Sequence, residues 1–373
     1  MRTNFPRFAE YFLALLALIA LLAAPAPARA DIMIALAGPL SGTNADVGTE
    51  WQTGMEAAIK DLNDGGGVLH QKLALTTEDD ACDTTRAVEA ATRLVDRGVH
   101  FVFGHFCSAA TLMASSIYAE SGTLEITTST NPTITQQGFD GLFRLTGRDD
   151  QQGRILADYM SDHFSGKRVA ILADHSILGT SLAASIRSEL ARQGRVNLTF
   201  DQSIDAGTKN FTTVIGQLEQ SKTEVVAFAG YPLEAGLLIR QAVEAGLKIQ
   251  FLSGSTLVRR QFWDIAGDSA EGTLFTFVAD ADALPNAHDV VERLRTHGHG
   301  AQGYTLYAYA AVQLFADAIT RAGSLEPAAV ARELQKGGIP TVLGDISFNE
   351  FGDNATPNWR LYQWSKGQIR HAE

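Results

Sequence analysis

Ser108 directly follows Gly104-His105-Phe106-Cys107, and that segment follows an apolar, strand-like run at 99–103. A helix is predicted to begin at Ser108. Unpaired N–H groups and the dipole at a helix start favour an anion such as a carboxylate. At the end of the next predicted strand, Thr127-Thr128-Ser129-Thr130 offers a run of hydroxyl donors and carbonyls. Helix capping alone would explain one such run; two on neighbouring strand ends point to a site for a small polar anion. Cys82 and Cys107 also follow predicted strand ends. In an oxidising compartment their bridge would close a loop of about 26 residues and stabilise by roughly 3–4 kcal/mol. Two buried thiols are the alternative.

Other constellations read as structure. Asp79 and Asp80, adjacent on a predicted strand, point to opposite faces and are poorly placed to share a proton. Gly65-Gly66-Gly67 follows a predicted helix instead of opening one, so it reads as a helix stop and not a phosphate cradle. His297, His299 and His288 lack a carboxylate or thiol partner at ligand spacing and read as solvated loop. No G-x-S-x-G elbow, Walker loop, H-E-x-x-H or G-x-G-x-x-G follows a strand. No enzymatic activity, metal or cofactor is expected. A secreted hydrolase is the rival reading, and turnover of a bound ester or amide would revive it.

The elements that must position these residues alternate along the chain. Apolar strand-like runs stand at 32–37, 72–77, 99–103 and 124–126. Between them Trp51, Met55, Ala58, Ile59 and Leu62, then Ala87, Val88, Ala91, Leu94 and Val95, recur at helical spacing. After a polar stretch at 147–153 the rhythm restarts, with strands at 169–173, 225–229, 249–253 and 273–278. Helices are expected at 182–190, 211–218 and 237–243, and late helices at 304–322 and 327–336 precede a β-like end at 359–364. Such alternation predicts two doubly wound α/β units with parallel sheets. Ligands of open α/β sheets bind beyond the carboxyl ends of the strands, so two facing sheets make a cleft there.

The 373 residues exceed what one core usually fills. A 45% apolar, 19% charged composition can build real cores. The net charge of −12 argues against nucleic acid or an anionic membrane surface as the main partner. Residues 1–30 read as a cleaved signal peptide: Arg2 and Arg7, an apolar run at 11–24, then Ala28-Arg29-Ala30 before Asp31. The run is short for a bilayer span, and an uncleaved anchor is the alternative. Losing Arg2, Arg7, Arg29 and Glu10 deepens the charge to about −14.

The chain resembles the periplasmic leucine/isoleucine/valine-binding proteins, substrate-binding proteins of ABC importers with the type I periplasmic binding fold. The resemblance covers residues 31–364 and rests on the order and spacing of several stretches. These include Glu78-Asp79-Asp80-Ala81-Cys82-Asp83, Gly104-His105-Phe106-Cys107-Ser108, Thr130-Asn131-Pro132 and Leu237-Leu238-Ile239-Arg240-Gln241-Ala242. Gly246-Leu247-Lys248, Ile265-Ala266-Gly267-Asp268, Tyr309-Ala310-Ala311-Val312-Gln313 and Tyr362-Gln363-Trp364 continue the series.

The resemblance implies two hinged lobes, 31–147 plus 278–355 and 148–277 plus 356–373, closing on a ligand. It implies a Cys82–Cys107 disulfide and a ligand carboxylate held by Ser108 and Thr130. A backbone carbonyl at Thr127 or Thr128 would take the ammonium, and Phe106, Cys107, Tyr231 and Tyr304 would line the pocket. Three positions depart from the family pattern: Ser255 stands where an acid takes the ammonium, and Val47 and Leu178 stand where pocket aromatics fall. Asp149, Glu234 or, less favourably, Glu125 could substitute for the missing acid; otherwise the ligand is a keto acid, another carboxylate or an amide. The expected role is capture of a branched-chain amino acid or related small carboxylate in the periplasm, after cleavage following Ala30, for delivery to ABC permease subunits. The receptor is expected to be monomeric, with no nucleic-acid partner. The alternative is a periplasmic sensor presenting a small ligand to a signalling receptor.

Overall fold

The computed structural model describes residues 30–278, 284–301 and 303–372. Apart from Ala30, the expected signal peptide lies outside the described residues. The chain begins with β1 (Ile32–Gly38), α1 (Ala45–Asp64), β2 (Leu73–Asp79), α2 (Thr84–Asp96) and β3 (Phe101–Gly104). It continues through α3 (Ser108–Ser121), β4 (Leu124–Thr127), the single turn α4 (Thr133–Gln136) and β5 (Leu142–Arg144). These five strands pair in parallel in the order β2-β1-β3-β4-β5, with Ile34 opposite Phe101 and Phe103 opposite Ile126. Strands β3, β4 and β5 are buried along their whole length. A sheet covered by helices on both faces demands such continuous apolar runs.

A second series follows: α5 (Asp149–His163), β6 (Arg168–Asp174), α6 (Ile177–Gln193), β7 (Asn197–Ile204), α7 (Thr212–Gln220) and β8 (Val225–Ala229). It runs on through α8 (Pro232–Glu244), β9 (Gln250–Ser253), a 3₁₀ turn at Ser255–Val258, α9 (Arg260–Ala266) and β10 (Leu274–Val278). The chain then returns toward the first sheet with α10 (His288–Thr296), α11 (Thr305–Ala322), α12 (Pro327–Lys336) and the hairpin β11 (Ile339–Thr341)–β12 (Gly344–Ile346). Helix α11 packs along α1 and touches β3. Gly54 permits that approach, since a Cβ there would sit 2.0 Å from the Thr305 carbonyl oxygen. Finally β13 (Trp359–Ser365) and β14 (Gln368–His371) join the second sheet, whose order is β14-β13-β10-β9-β8-β6-β7.

The structure is thus the expected pair of α/β units, with two differences in local detail. First, β13 runs antiparallel to β10, and β14 antiparallel to β13. Lys366 and Gly367 both have positive φ, which makes the two-residue hairpin turn that matches strand twist. Second, most of the polar stretch at 147–153 is the start of α5 and not a connector. Asp149 and Asp150 occupy its first turn, where negative charge suits the helix dipole. The buried apolar residues Leu156, Ala157 and Met160 come only later, so the periodicity is invisible at the helix start. Strand β7 escaped the pattern because it is an edge strand, exposed along much of its length.

Candidate functional site

The loop between β3 and α3 is pinned from three sides. The His105 carbonyl accepts hydrogen bonds from Thr127 Oγ1 (2.8 Å), Ser129 Oγ (3.0 Å) and Thr111 Oγ1 (3.1 Å). The buried His105 ring lies between Asp80 Oδ2 (2.5 Å from Nδ1) and the Tyr118 hydroxyl (3.1 Å from Nε2). Cys107 is bonded to Cys82, with Cα atoms 5.3 Å apart. Asp79 and Asp80 do separate jobs, as strand geometry suggested: Asp79 holds the backbone of Leu40, Ser41 and Ala81, while Asp80 holds Cys82 and His105.

The second loop, after β4, is tied to the first by Ser129 Oγ, which also reaches the Phe106 carbonyl at 2.7 Å. Beneath it lies the buried guanidinium of Arg144. It donates to the Ser129 carbonyl, to Thr135 Oγ1 (2.9 Å) and to Asp353 Oδ1 (2.7 Å). The hydroxyls of Thr111, Thr127 and Ser129 are spent on this framework. Those of Ser108, Thr128 and Thr130 are buried with no partner at hydrogen-bonding geometry, although Thr130 stands close enough to the Asp149 carboxylate to favour its charged form. Cys107 occupies the N-cap position of α3, and Ser108 is the first helical residue, as expected; its Oγ caps nothing. Both backbone carbonyls expected to take an ammonium are engaged: that of Thr127 accepts from the Leu145 N–H and that of Thr128 from Thr146 Oγ1, each at 2.9 Å; of the two hydroxyls, that of Thr128 has no partner.

The opposite wall comes from the ends of β8 and β9. Tyr231 precedes α8, and its N–H donates to Asp174 Oδ2 at 3.2 Å. Ser255 opens the 3₁₀ turn; its N–H donates to Gln152 Oε1 at 2.9 Å and its side chain is reached by the Tyr304 hydroxyl. Burial drives the phenols of Tyr231 and Tyr304 well above their usual pKa, so both stay protonated. Phe106 stacks edge-on with Tyr304, with ring centroids 5.3 Å apart. Val47 is fully buried in α1, and Leu178 is buried at the start of α6 yet belongs to neither apolar core. All the residues expected at the site are therefore described. Ser108, Thr128, Thr130, Ser255 and Tyr304 are all nearly inaccessible.

That inaccessibility has a cause the sequence reading missed. Arg259, fully buried just beyond the 3₁₀ turn, donates Nε to Asp46 Oδ2 (2.9 Å), Nη1 to Asn44 Oδ1 (2.7 Å) and Nη2 to Asp46 Oδ1. It also lies 5.9 Å from the Phe106 ring centroid. Asn44 in turn donates to the disulfide sulfur of Cys82 at 3.3 Å. These bonds cross from the elements of one sheet to those of the other and hold the strand ends face to face. The sequence signal was slight: an arginine in a segment otherwise reading as a strand end.

Three buried acids, Glu125, Asp149 and Asp174, and the half-buried Glu50 surround this region. Burial is the largest cause in raising Glu50 and Glu125 to about 7, and Asp149 and Asp174 to about 6. Glu50 Oε2 accepts from the Tyr304 N–H at 2.8 Å. Glu234, buried in the first turn of α8, accepts from the Gly207 N–H at 2.6 Å. Together the groups offer hydroxyls and a helix N-terminus for an anion, aromatic walls and buried carboxylates. Neither a nucleophile with an adjacent base nor a cluster of metal ligands occurs among these residues.

A family model described as "Periplasmic binding protein" matches residues 31–368. A "Leu/Ile/Val-binding protein homolog 1" from Brucella suis biovar 1 is 41% identical over 353 residues, 94% of this chain and 95% of that protein. An "Amino acid binding protein" from Pseudomonas aeruginosa is 38% identical over 341 residues, covering 90% and 91%. Among solved structures, the leucine-binding protein LivK from Thermotoga maritima superposes with a TM-score of 0.85 at 24% identity, covering 92% of this chain and 98% of that one. The branched-chain amino acid substrate-binding protein LivJ from Streptococcus pneumoniae, in complex with isoleucine, gives 0.85 at 24% identity, covering 92% and 99%.

Proposed function

This chain belongs to the periplasmic binding protein family, a family of non-enzymatic solute binders, and we propose that it captures a branched-chain amino acid or a related small carboxylate between its two sheets and delivers it to an ABC permease. The observation that carries this reading is the set of buried, unpartnered hydroxyls of Ser108, Thr128 and Thr130 beside the start of α3. A buried hydroxyl without a partner costs about 1–3 kcal/mol. Three on adjoining loops are best explained by a ligand that supplies the missing acceptors. A ligand carboxylate does so and also meets the first-turn N–H groups of α3.

Phe106, Cys107, Tyr231 and Tyr304 would wall the ligand, and the small Val47 and Leu178 would leave room for an aliphatic or bulkier group. Thr127 would act by fixing the loop. Capture needs no covalent step, only better binding to the closed arrangement than to the open one. The two lobes would be 31–147 with 278–355, and 148–277 with 356–373, hinged where the chain crosses between them. Export to the periplasm with cleavage after Ala30 and a monomeric receptor belong to the same reading. Mass spectrometry of the exported protein tests the cleavage, and an intact Met1 would contradict it.

Calorimetric titration with leucine, isoleucine, valine, their keto acids and aromatic carboxylates tests the central claim. Saturable binding of at least one aliphatic carboxylate is expected, weakened by Ser108→Ala. No heat from any carboxylate would overturn it.

A further inference from the structure

Asn44 is the N-cap residue of α1, yet its side chain makes no capping hydrogen bond. An Asn at that position ordinarily accepts from the N–H of the second or third helical residue. Here the amide is used elsewhere. Its Oδ1 accepts from Arg259 Nη1 at 2.7 Å, on the second sheet's side. Its Nδ2 donates to the disulfide, 3.3 Å from Cys82 Sγ and 3.8 Å from Cys107 Sγ. One amide thus stands between the bridge and the residue that joins the two sides.

The segment around Asn44 is gripped from the second side at more than one point. Arg259 Nε donates to Asp46 Oδ2 at 2.9 Å, and Gln261 Nε2 to the Thr43 carbonyl at 2.8 Å. On its own side the segment rests on the turn that carries Cys82: Asp79 Oδ1 accepts from the N–H groups of Leu40, Ser41 and Ala81. Ala81 and Cys82 have φ of 47° and 60°, a left-handed backbone that non-glycine residues adopt only when held. Asp80 Oδ1 holds the Cys82 N–H at 2.8 Å, and the bond to Cys107 holds its side chain. With the bridge cut, the Cys82 side chain can leave Asn44, and the amide loses the acceptors that aim Oδ1 at Arg259.

We infer that Asn44 is a positioning residue that makes closure depend on the Cys82–Cys107 bridge, so that reducing the bridge weakens ligand binding. The inference rests on the proposed capture of a ligand between the two sheets. Reduction needs a dithiol. Its thiolate attacks one sulfur, and its second thiol resolves the mixed disulfide. The dithiol is oxidised by two electrons to a cyclic disulfide, and its two protons end on Cys82 and Cys107 as thiols. These are the chain's two cysteines, so a dithiol has no other target.

The test titrates leucine, isoleucine, valine and their keto acids into oxidised and dithiothreitol-reduced protein. For the tightest of these probes, reduction of the wild type should weaken binding about fivefold or more. Asn44→Asp keeps an acceptor for Arg259 and loses the donor to sulfur, so its oxidised and reduced forms should differ by less than about twofold. Asn44→Ala loses both groups, and its oxidised form should bind more weakly than that of Asn44→Asp. A wild type indifferent to reduction overturns the inference. So does an equal loss on reduction in Asn44→Asp, which would route the effect through the loop from Cys107 to Ser108. Should the reduced protein unfold, the double variant Cys82→Ala, Cys107→Ala replaces it below its melting transition; if that also unfolds, the bridge is a fold element and the inference falls. Should no probe bind the oxidised wild type, the proposed function falls, and the radius of gyration of the empty protein decides the inference. Reduction should enlarge that radius in the wild type and not in Asn44→Asp; an unchanged wild-type radius overturns it.

Discussion

The strand ends of the first sheet and those of the second are built differently. On the first side the loops after β3 and β4 are cross-braced by the His105 carbonyl, the Arg144 guanidinium and the Cys82–Cys107 bridge. On the second side the contributing residues are Tyr231 before α8 and Ser255 in a short 3₁₀ turn, each held by a few backbone bonds from Asp174 and Gln152. The rigid side carries the unpartnered hydroxyls; the second side carries bulk and shape. The difference teaches a division of labour. On the proposed reading, the braced side would set the position of a bound carboxylate and the less braced wall would meet the rest of the ligand.

The largest effect should come from breaking the brace. Arg144→Met removes the guanidinium from the buried Asp353 carboxylate and from the Ser129 carbonyl. Arg148 still lies 3.3 Å from Asp353, so the pair is not wholly lost. A cost of about 3 kcal/mol in unfolding free energy is expected, together with weaker ligand binding, measured by denaturant titration and calorimetry. Tyr231→Phe on the other wall should leave stability within about 0.5 kcal/mol. Comparable losses from both would erase the distinction between the sides.

Next comes the anion cradle itself. Ser108→Ala removes a hydroxyl that has no partner inside the protein. The empty protein should therefore keep or gain stability, while carboxylate affinity falls by about 1.5–3 kcal/mol, the worth of a hydrogen bond to a charged group. Thr127→Val is the contrast, because that hydroxyl is committed to His105 and to the Ser129 N–H. It should lower stability with or without ligand. Parallel thermal melts and titrations separate the two patterns, and identical behaviour would refute the assignment of free and committed hydroxyls.

A smaller effect is expected at the contact between the sides. Arg259→Gln loses the two bonds to Asp46, whose side chain is 36% exposed. Solvent screening limits what is lost, so affinity should fall roughly tenfold, or about 1.4 kcal/mol. Small-angle scattering of the empty protein should show a larger radius of gyration if the arginine favours closure. An unchanged radius and affinity would mean that this contact follows closure without driving it.

The same contrast explains what could be read without coordinates. The α/β alternation was legible because strands such as β3 and β8 are short apolar runs and helices such as α1 carry a clear period. The start of α5 was not, because its first turn is charged and Asp149 is buried there for reasons of site and not of periodicity. Ser108 and Thr130 could be singled out by type and position at strand ends. Whether a hydroxyl is free depends on three-dimensional partners, so Thr127 and Thr128 looked alike. Arg259 and Asp46 meet across more than two hundred residues of chain, and no local pattern announces such a pair. Glu125, read as a strand residue of minor interest, proves to be fully buried beside His105.

Two of the four acids raised by burial, Glu50 on α1 and Glu125 on β4, belong to the first sheet's elements; Asp149 opens α5, which packs on α6, β10 and β13, and Asp174 ends β6 of the second sheet. Their folded-state values of about 7 or about 6 lie above those of an unfolded carboxyl. Their neutral forms therefore favour the folded state below the unfolded value, and that contribution is lost as pH rises through 6 to 7. For the empty protein, stability at pH 8 should be lower than at pH 5 by several kcal/mol, roughly 1–3 from each group. Glu125→Gln should flatten the decline. Thermal melts of the empty wild type and of Glu125→Gln at both pH values read the two trends. A variant that declines between pH 5 and 8 as steeply as the wild type would show that the Glu125 carboxyl, although burial raises its pKa to about 7, carries no share of the pH dependence.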